Sequence, residues 1–156
     1  VAVPAIVTAG DGRAAKAVYG QSKVYLELEG LPLVARVVLT LQQVPEVSEV
    51  WVVGNAERLG EIFSAEDMQR QLVKPLHVVP QFRHLLENSW ESFRRVLSGR
   101  VEEGRDPGPA ELDQAVLYLS GDLPFATPQE ISEFVRRGLS LDCDYALGLA
   151  TAESLA

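Results

Sequence analysis

Val3-Pro4-Ala5-Ile6-Val7-Thr8-Ala9-Gly10-Asp11-Gly12-Arg13, residues 3–13, runs from an apolar segment straight into a glycine-rich turn. An apolar run this short, ending at glycine, reads as a buried strand. The glycines let the backbone turn with positive φ and let a ligand approach the amides closely. Successive amides aimed one way make an anion-binding nest. The loop is also locally basic: between residues 10 and 25 stand Arg13, Lys16 and Lys23 against Asp11 alone. Phosphate groups are the ligands such a loop suits. A plain strand-to-helix turn is the competing structural reading.

Outward from this stretch the chain alternates. Pro32 to Val44 places Leu33, Val34, Val37, Val38, Leu41 and Val44 on one helical face. Glu49 to Val53 is β-branched and aromatic, a second strand. Asn55 caps a short helix through Phe63, and Ser64 with Asp67 starts another. Leu76 to Val79 is a third strand, and Asn88 with Glu91 is expected to cap the next helix, with Trp90, Phe93 and Leu97 on one face. Ser98 to Pro109, rich in glycine, proline and charge, reads as a long surface loop. Ala115 to Leu119 is a fourth strand. Thr127, Pro128 and Glu130 are N-cap, first-turn proline and capping-box partner of the last helix, and Tyr145 to Ala150 is expected as a fifth strand. This alternation predicts an α/β three-layer sandwich with a Rossmann-like, mostly parallel sheet. Ligands of such sheets sit at the carboxyl ends of the strands, here Gly10 to Lys23, Gln81 to Ser89 and Ser120 to Pro124.

The 156 residues are one domain's worth of chain, and the apolar share of 47% is globular. A net charge of −8 argues against nucleic acid or an anionic membrane as partner, while a small phosphorylated ligand needs only a local basic excess. No apolar run approaches the roughly 20 residues that span a bilayer, and no signal-like segment opens the sequence. Cys143 is the single cysteine, so no internal disulfide forms. It reads as a small buried residue, and a cytoplasmic home is expected. The residues leave the oligomeric state open.

Two elements decide between nucleotide chemistries. Gly10, Gly12 and Ala15 fit the Gly-x-Gly-x-x-Ala fingerprint of NAD(P)-binding oxidoreductase domains. That fingerprint needs a carboxylate at the end of the second strand, where this chain has Gly54-Asn55 and no acid until Glu57. It also needs a helix directly after the glycines, where Tyr19-Gly20-Gln21-Ser22 breaks the pattern. By contrast, Lys23-Val24-Tyr25-Leu26-Glu27-Leu28-Glu29-Gly30-Leu31-Pro32-Leu33-Val34 closely resembles the signature of nucleotidyltransferases. The molybdenum-cofactor guanylyltransferases, the sugar-phosphate nucleotidyltransferases and the cytidylyltransferases belong to that family. Lys23, Gly30, Pro32 and Leu33 match at the family's spacing. Ser22 stands where proline is usual, and Ala14 where the family has arginine, so that Arg13 or Lys16 takes over its work.

The resemblance implies that residues 1–156 are an NTP-transferase domain, the nucleotide-binding part of a longer catalytic domain. It implies a nucleoside triphosphate and a small-molecule acceptor as partners, and transfer of a nucleoside monophosphate with release of pyrophosphate. Ala9, Gly10, Asp11 and Gly12 would cradle phosphates, and Lys23 with Arg13 or Lys16 would neutralise them. Arg83 and Ser89 stand where cytidylyl-type relatives carry a loop that touches base and phosphates. Gly121, Asp122 and Pro124 match a Gly-Asp-x-Pro motif whose aspartate holds Mg2+. Two alternatives stay open: the NAD(P)-binding domain, and a degenerate transferase that binds nucleotide without turnover, for which Ala14 and Ser22 leave room.

Overall fold

The computed structural model describes residues 2–10, 23–122 and 127–148. These build a four-stranded parallel sheet ordered β5-β4-β1-β6 and a separate two-stranded hairpin. β1 is Val3–Ala9, β4 is Val47–Gly54, β5 is Leu76–Pro80 and β6 is Leu117–Ser120. β1 pairs with β4 from Val3 to Ala9 and with β6 from Ala5 to Thr8, so it is central and buried on both faces. That is why its sequence is nearly continuously apolar. Pro4 is tolerated in this central strand because the register shifts between Val3 and Pro4.

The period of two along β1 separates two cores. Ala5, Val7 and Ala9 face one side, where they meet Val34, Val38 and Leu41 of α1 (Leu33–Gln42) and Leu59 and Phe63 of α2 (Ala56–Ser64). Met68 of α3 (Glu66–Gln71) and Ile131 and Val135 of α5 (Pro128–Ser140) close the same side. Ile6 faces the other side with Trp51, Val53 and Val79, covered by Phe93 and Val96 of α4 (Leu85–Ser98). Helices on both faces make the three layers that the alternation predicts. Each fully buried Leu or Val contributes about 1.5–3 kcal/mol.

Local chemistry sets most boundaries. Thr127 caps α5 through the backbone N–H of Glu130, and the Glu130 carboxylate accepts from the Thr127 N–H in return. The Asn55 side chain accepts from the Arg58 N–H at the start of α2. Gly99, in the left-handed region, ends α4 by returning its N–H to the Arg95 carbonyl. β2 (Glu27–Leu28) and β3 (Leu31–Pro32) pair across Glu29 and Gly30, whose φ values of 54° and 83° make the two-residue hairpin turn.

Four expectations are corrected. Residues 145–148 form no strand, so the described part of the predicted fifth strand is absent. Asn88 does not cap α4: His84 does, through Nδ1 to the Glu87 N–H, and Asn88 is buried within the helix. Ser64 does not cap α3, whose N-cap is Ala65; the Ser64 hydroxyl returns to the Glu61 carbonyl and closes α2. Cys143 is exposed, because it lies in an irregular segment beyond α5 and off the core. Among the described residues no helix is long and apolar enough to cross a membrane.

Candidate functional site

The four strands are parallel, so their carboxyl ends meet on one edge of the sheet: Ala9-Gly10, Gly54-Asn55, Pro80-Gln81 and Ser120-Gly121-Asp122. Two glycines let the backbones close there. A Cβ on Gly54 would lie 2.4 Å from the Ala9 carbonyl oxygen, and one on Gly121 would lie 3.1 Å from the Thr8 carbonyl oxygen. The Gly121 N–H donates to that Thr8 carbonyl at 2.9 Å, which extends the β6 pairing by one residue and fixes where Asp122 emerges.

Asp122 is half-buried, and its carboxylate accepts from the Ser120 hydroxyl at 2.5 Å. Gly121 also brings in the lysine. The position a Gly121 Cβ would take is 3.2 Å from Val24 Cγ1, and Val24 follows Lys23 in a single 3-10 turn, Lys23–Tyr25. Val24 and Tyr25 are buried and Lys23 is exposed. The fold therefore brings the Lys23 and Asp122 segments, nearly one hundred residues apart, to the same strand ends.

The third wall comes from α4. A Cβ on Gly10 would lie 3.4 Å from Asn88 Nδ2 and 3.5 Å from Gln81 Oε1. Asn88 Oδ1 accepts the Phe82 N–H at 2.5 Å, which pins the turn after β5 beside Gly10. Asn88 and Gln81 thus belong to this edge; both lie in the Gln81 to Ser89 segment expected there, though neither stands among the candidate site residues read from sequence. The available signal was Asn88 itself, a poor helix former inside a helix pattern, which more often marks a polar contact than a helix interior.

Of the residues singled out from sequence, Ala9 ends β1 buried and Gly10 follows it at the edge. Lys23, Gly121 and Asp122 join it there. Ser89 lies inside α4 next to Asn88. Arg83 is not gathered: its side chain is 86% exposed and pairs with Glu87 at 3.0 Å. Asp11, Gly12, Arg13 and Lys16, with Ala14, Ser22 and Pro124, lie outside the described residues. Among the described residues no three His, Cys, Asp or Glu side chains gather as a metal cage.

Comparison with known proteins agrees with this fold. The chain is 27% identical over 137 residues to the 2-C-methyl-D-erythritol 4-phosphate cytidylyltransferase of Chlorobium luteolum, covering 86% of this chain and 53% of that protein. It spans about half the length of that curated relative. Among solved structures, it resembles 4-diphosphocytidyl-2C-methyl-D-erythritol synthase from Anaerococcus prevotii with a TM-score of 0.61 at 16% identity, over 97% of this chain and 61% of that one. It also resembles a CMP:2-keto-3-deoxy-manno-octonic acid synthetase complexed with CTP, with a TM-score of 0.56 at 18% identity, over 88% of this chain and 47% of that one. At such identities the likeness establishes the fold. A family model matches residues 5–152, almost the whole chain, and by that match the chain belongs to the MobA-like NTP transferase domain family.

Proposed function

We propose that this chain is the nucleotide-binding part of a nucleotidyltransferase. It would move a nucleoside monophosphate from a triphosphate to an oxygen of a phosphorylated small molecule. A bond forms from the acceptor oxygen to the α-phosphorus, the bond from that phosphorus to the bridging oxygen breaks, and pyrophosphate leaves with the electron pair. The observation that carries this reading is the meeting of Gly10, the Lys23 turn and Gly121-Asp122 at one edge of the sheet. A triphosphate concentrates charge, and loop amides with a mobile ammonium offset it. In such chemistry the protein mainly positions groups and neutralises charge. The similar proteins named above are cytidylyl enzymes, and one was solved with CTP, so CTP is the first triphosphate to test.

Asp122 fits a magnesium ion of the kind held by one carboxylate, water and phosphate oxygens: it is a half-buried oxygen donor at the proposed phosphate edge, oriented by Ser120. Such an ion, when bound, supplies charge for the leaving pyrophosphate. An NAD(P) reading finds no support at β4, which ends in Gly54 and passes to Asn55, whose side chain is used as a helix cap.

A melting panel with ATP, CTP, GTP, UTP and NAD, each with and without magnesium, tests the reading. One triphosphate at about 100 times its dissociation constant adds ~2.7 kcal/mol to stability. That raises the melting temperature by about 5–10 °C. A shift with NAD and none with any triphosphate refutes it.

A further inference from the structure

We infer that Arg58, from the first turn of α2, is a positioning residue for Lys23 and acts through the ring of Tyr25. The inference rests on the phosphate role proposed for Lys23. Lys23–Tyr25 is one turn of 3-10 helix. A turn that short cannot hold itself, because it fixes many dihedrals for few hydrogen bonds. Tertiary contacts must hold it.

They come from three sides. Val24 presses against Gly121 at the end of β6. The Leu26 N–H returns to the Lys23 carbonyl at 3.1 Å, and the Leu26 carbonyl accepts the N–H of Leu33, the first residue of α1, at 2.9 Å. The Arg58 guanidinium lies over the Tyr25 ring, 3.9 Å from its centroid. Tyr25 is 4% exposed and Arg58 is half-buried, so the contact is partly shielded from water. Lys23 is the exposed residue among these anchors.

Arg58 is committed to this contact. Most arginines of the described residues pair with a carboxylate: Arg36 with Glu29, Arg70 with Glu66, Arg95 with Glu91 and Arg105 with Glu111 among them. Among the described residues the Arg58 guanidinium has no such partner, although Glu61 stands three residues on along the same helix. Its own backbone is fixed, since its N–H donates to Asn55 Oδ1 at 3.1 Å where α2 leaves the end of β4. The stack therefore ties the lysine turn to the strand end beside Gly54.

A double-mutant cycle tests this. Parent, Arg58→Met, Lys23→Ala and the double variant are titrated calorimetrically with ATP, CTP, GTP and UTP, each with magnesium. Arg58→Met is expected to weaken the best-bound triphosphate ~2- to 5-fold, the range of a partly exposed cation–aromatic contact. In the Lys23→Ala background it should add no further loss, because its effect passes through Lys23. Arg58→Lys, which keeps a cation over the ring, should restore affinity to within about twofold of the parent. Exchange of the Leu26 amide should quicken in Arg58→Met and stay parent-like in Arg58→Lys. If Arg58→Met is too unstable to titrate, Arg58→Lys carries the test, and a loss as large as that of Lys23→Ala overturns the inference. Unchanged affinity in Arg58→Met overturns it, as does full additivity with Lys23→Ala. A parent that binds none of the four triphosphates overturns the functional reading and this inference together. A parent that binds while the cycle is additive overturns the inference alone.

Discussion

The two ends of the parallel sheet use similar residues in opposite ways. At the amino ends, most polar groups are matched to one another, although Gln42 Nε2 is buried without a partner among the described residues. Gln42, buried at the last turn of α1, accepts the N–H groups of Val73 and Lys74 at 2.9 and 2.7 Å. Lys74 donates to the carbonyls of Val44 and Val47 where β4 begins. Glu46 accepts from the Ser132 hydroxyl at 2.6 Å, which ties α5 to the entry of β4. On the path into β6, Arg105 and Glu111 form a two-armed pair. At the carboxyl ends, by contrast, backbones pack tightly while charged side chains are left with little. Among the described residues Asp122 has one hydroxyl partner, and Lys23 is exposed with no carboxylate. An end whose polar groups largely pair with each other stabilises the fold; an end with fixed backbone and unspent charge is ready for an ionic ligand.

Variants at each end sharpen or break that contrast. The largest effect is expected at Gly54, where the carboxyl end depends on packing. Gly54→Ala places a methyl 2.4 Å from the Ala9 carbonyl oxygen, and backbone cannot step aside as a side chain can. It should cost about 3 kcal/mol, measured by chemical denaturation. A cost under 1 kcal/mol would show that the edge is looser than the contact implies. Next, Gln42→Ala at the amino end removes the acceptor of two partly buried N–H groups and should cost about 1 kcal/mol. Triphosphate affinity should stay at the parent value; a parallel loss of binding would erase the distinction between the ends.

Asp122→Asn should do the reverse. The shape and the Ser120 contact survive, so the melting temperature should stay within about 2 °C, the scale of a substitution that leaves the core untouched. Magnesium-dependent triphosphate binding should fall about tenfold or more, because the charge that suits a hard cation is gone. Nucleotide and magnesium should raise each other's affinity by the same factor in the parent. Calorimetry decides the point, and metal binding unaffected by Asp122→Asn would leave this carboxylate as a turn residue only.

The smallest effect is the acid limb of stability. The Arg105 guanidinium, then the Gly108 N–H, holds the Glu111 carboxyl down at about 2. The Ser132 hydroxyl lowers Glu46, with help from Arg136 and Lys74 and against the opposing effect of burial. Both carboxyls bind protons more weakly folded than unfolded. Their contribution is therefore complete above the ordinary carboxylate value and is lost as pH falls from ~4.5 towards 2. Glu111→Gln should flatten that limb in a denaturation series across pH; an unchanged slope would show that the Arg105 pair adds no net stability.

How much of this was legible in residues follows from the range of each interaction. The apolar run to Gly10, the Thr127-Pro128-Glu130 cap and the Gly30-Leu31-Pro32-Leu33 turn into α1 are local, and each lies where its own residues put it. Asn88 was misread because capping strength is local while its real use is not. The turn after β5 leaves the Phe82 N–H needing an acceptor, and only a residue one turn into α4 reaches it. The described part of the expected fifth strand, residues 145–148, is unpaired: Tyr145 to Leu147 carries strand-type residues, but pairing needs a neighbour, which an apolar pattern does not provide.

By itself, then, the sequence determined the alternation of strands and helices, the end of β1 at Gly10 and the cap of α5, since propensity, capping and periodicity act between near neighbours. Only the tertiary structure decided the strand order β5-β4-β1-β6, which sets Gly10 and Gly121-Asp122 at one edge, and the division of helices between the faces. It also decided the seating of Val24 on Gly121 and the stack of Arg58 on Tyr25. Each of these joins residues far apart in the chain, and no local signal records a contact that exists only once the backbone has returned on itself.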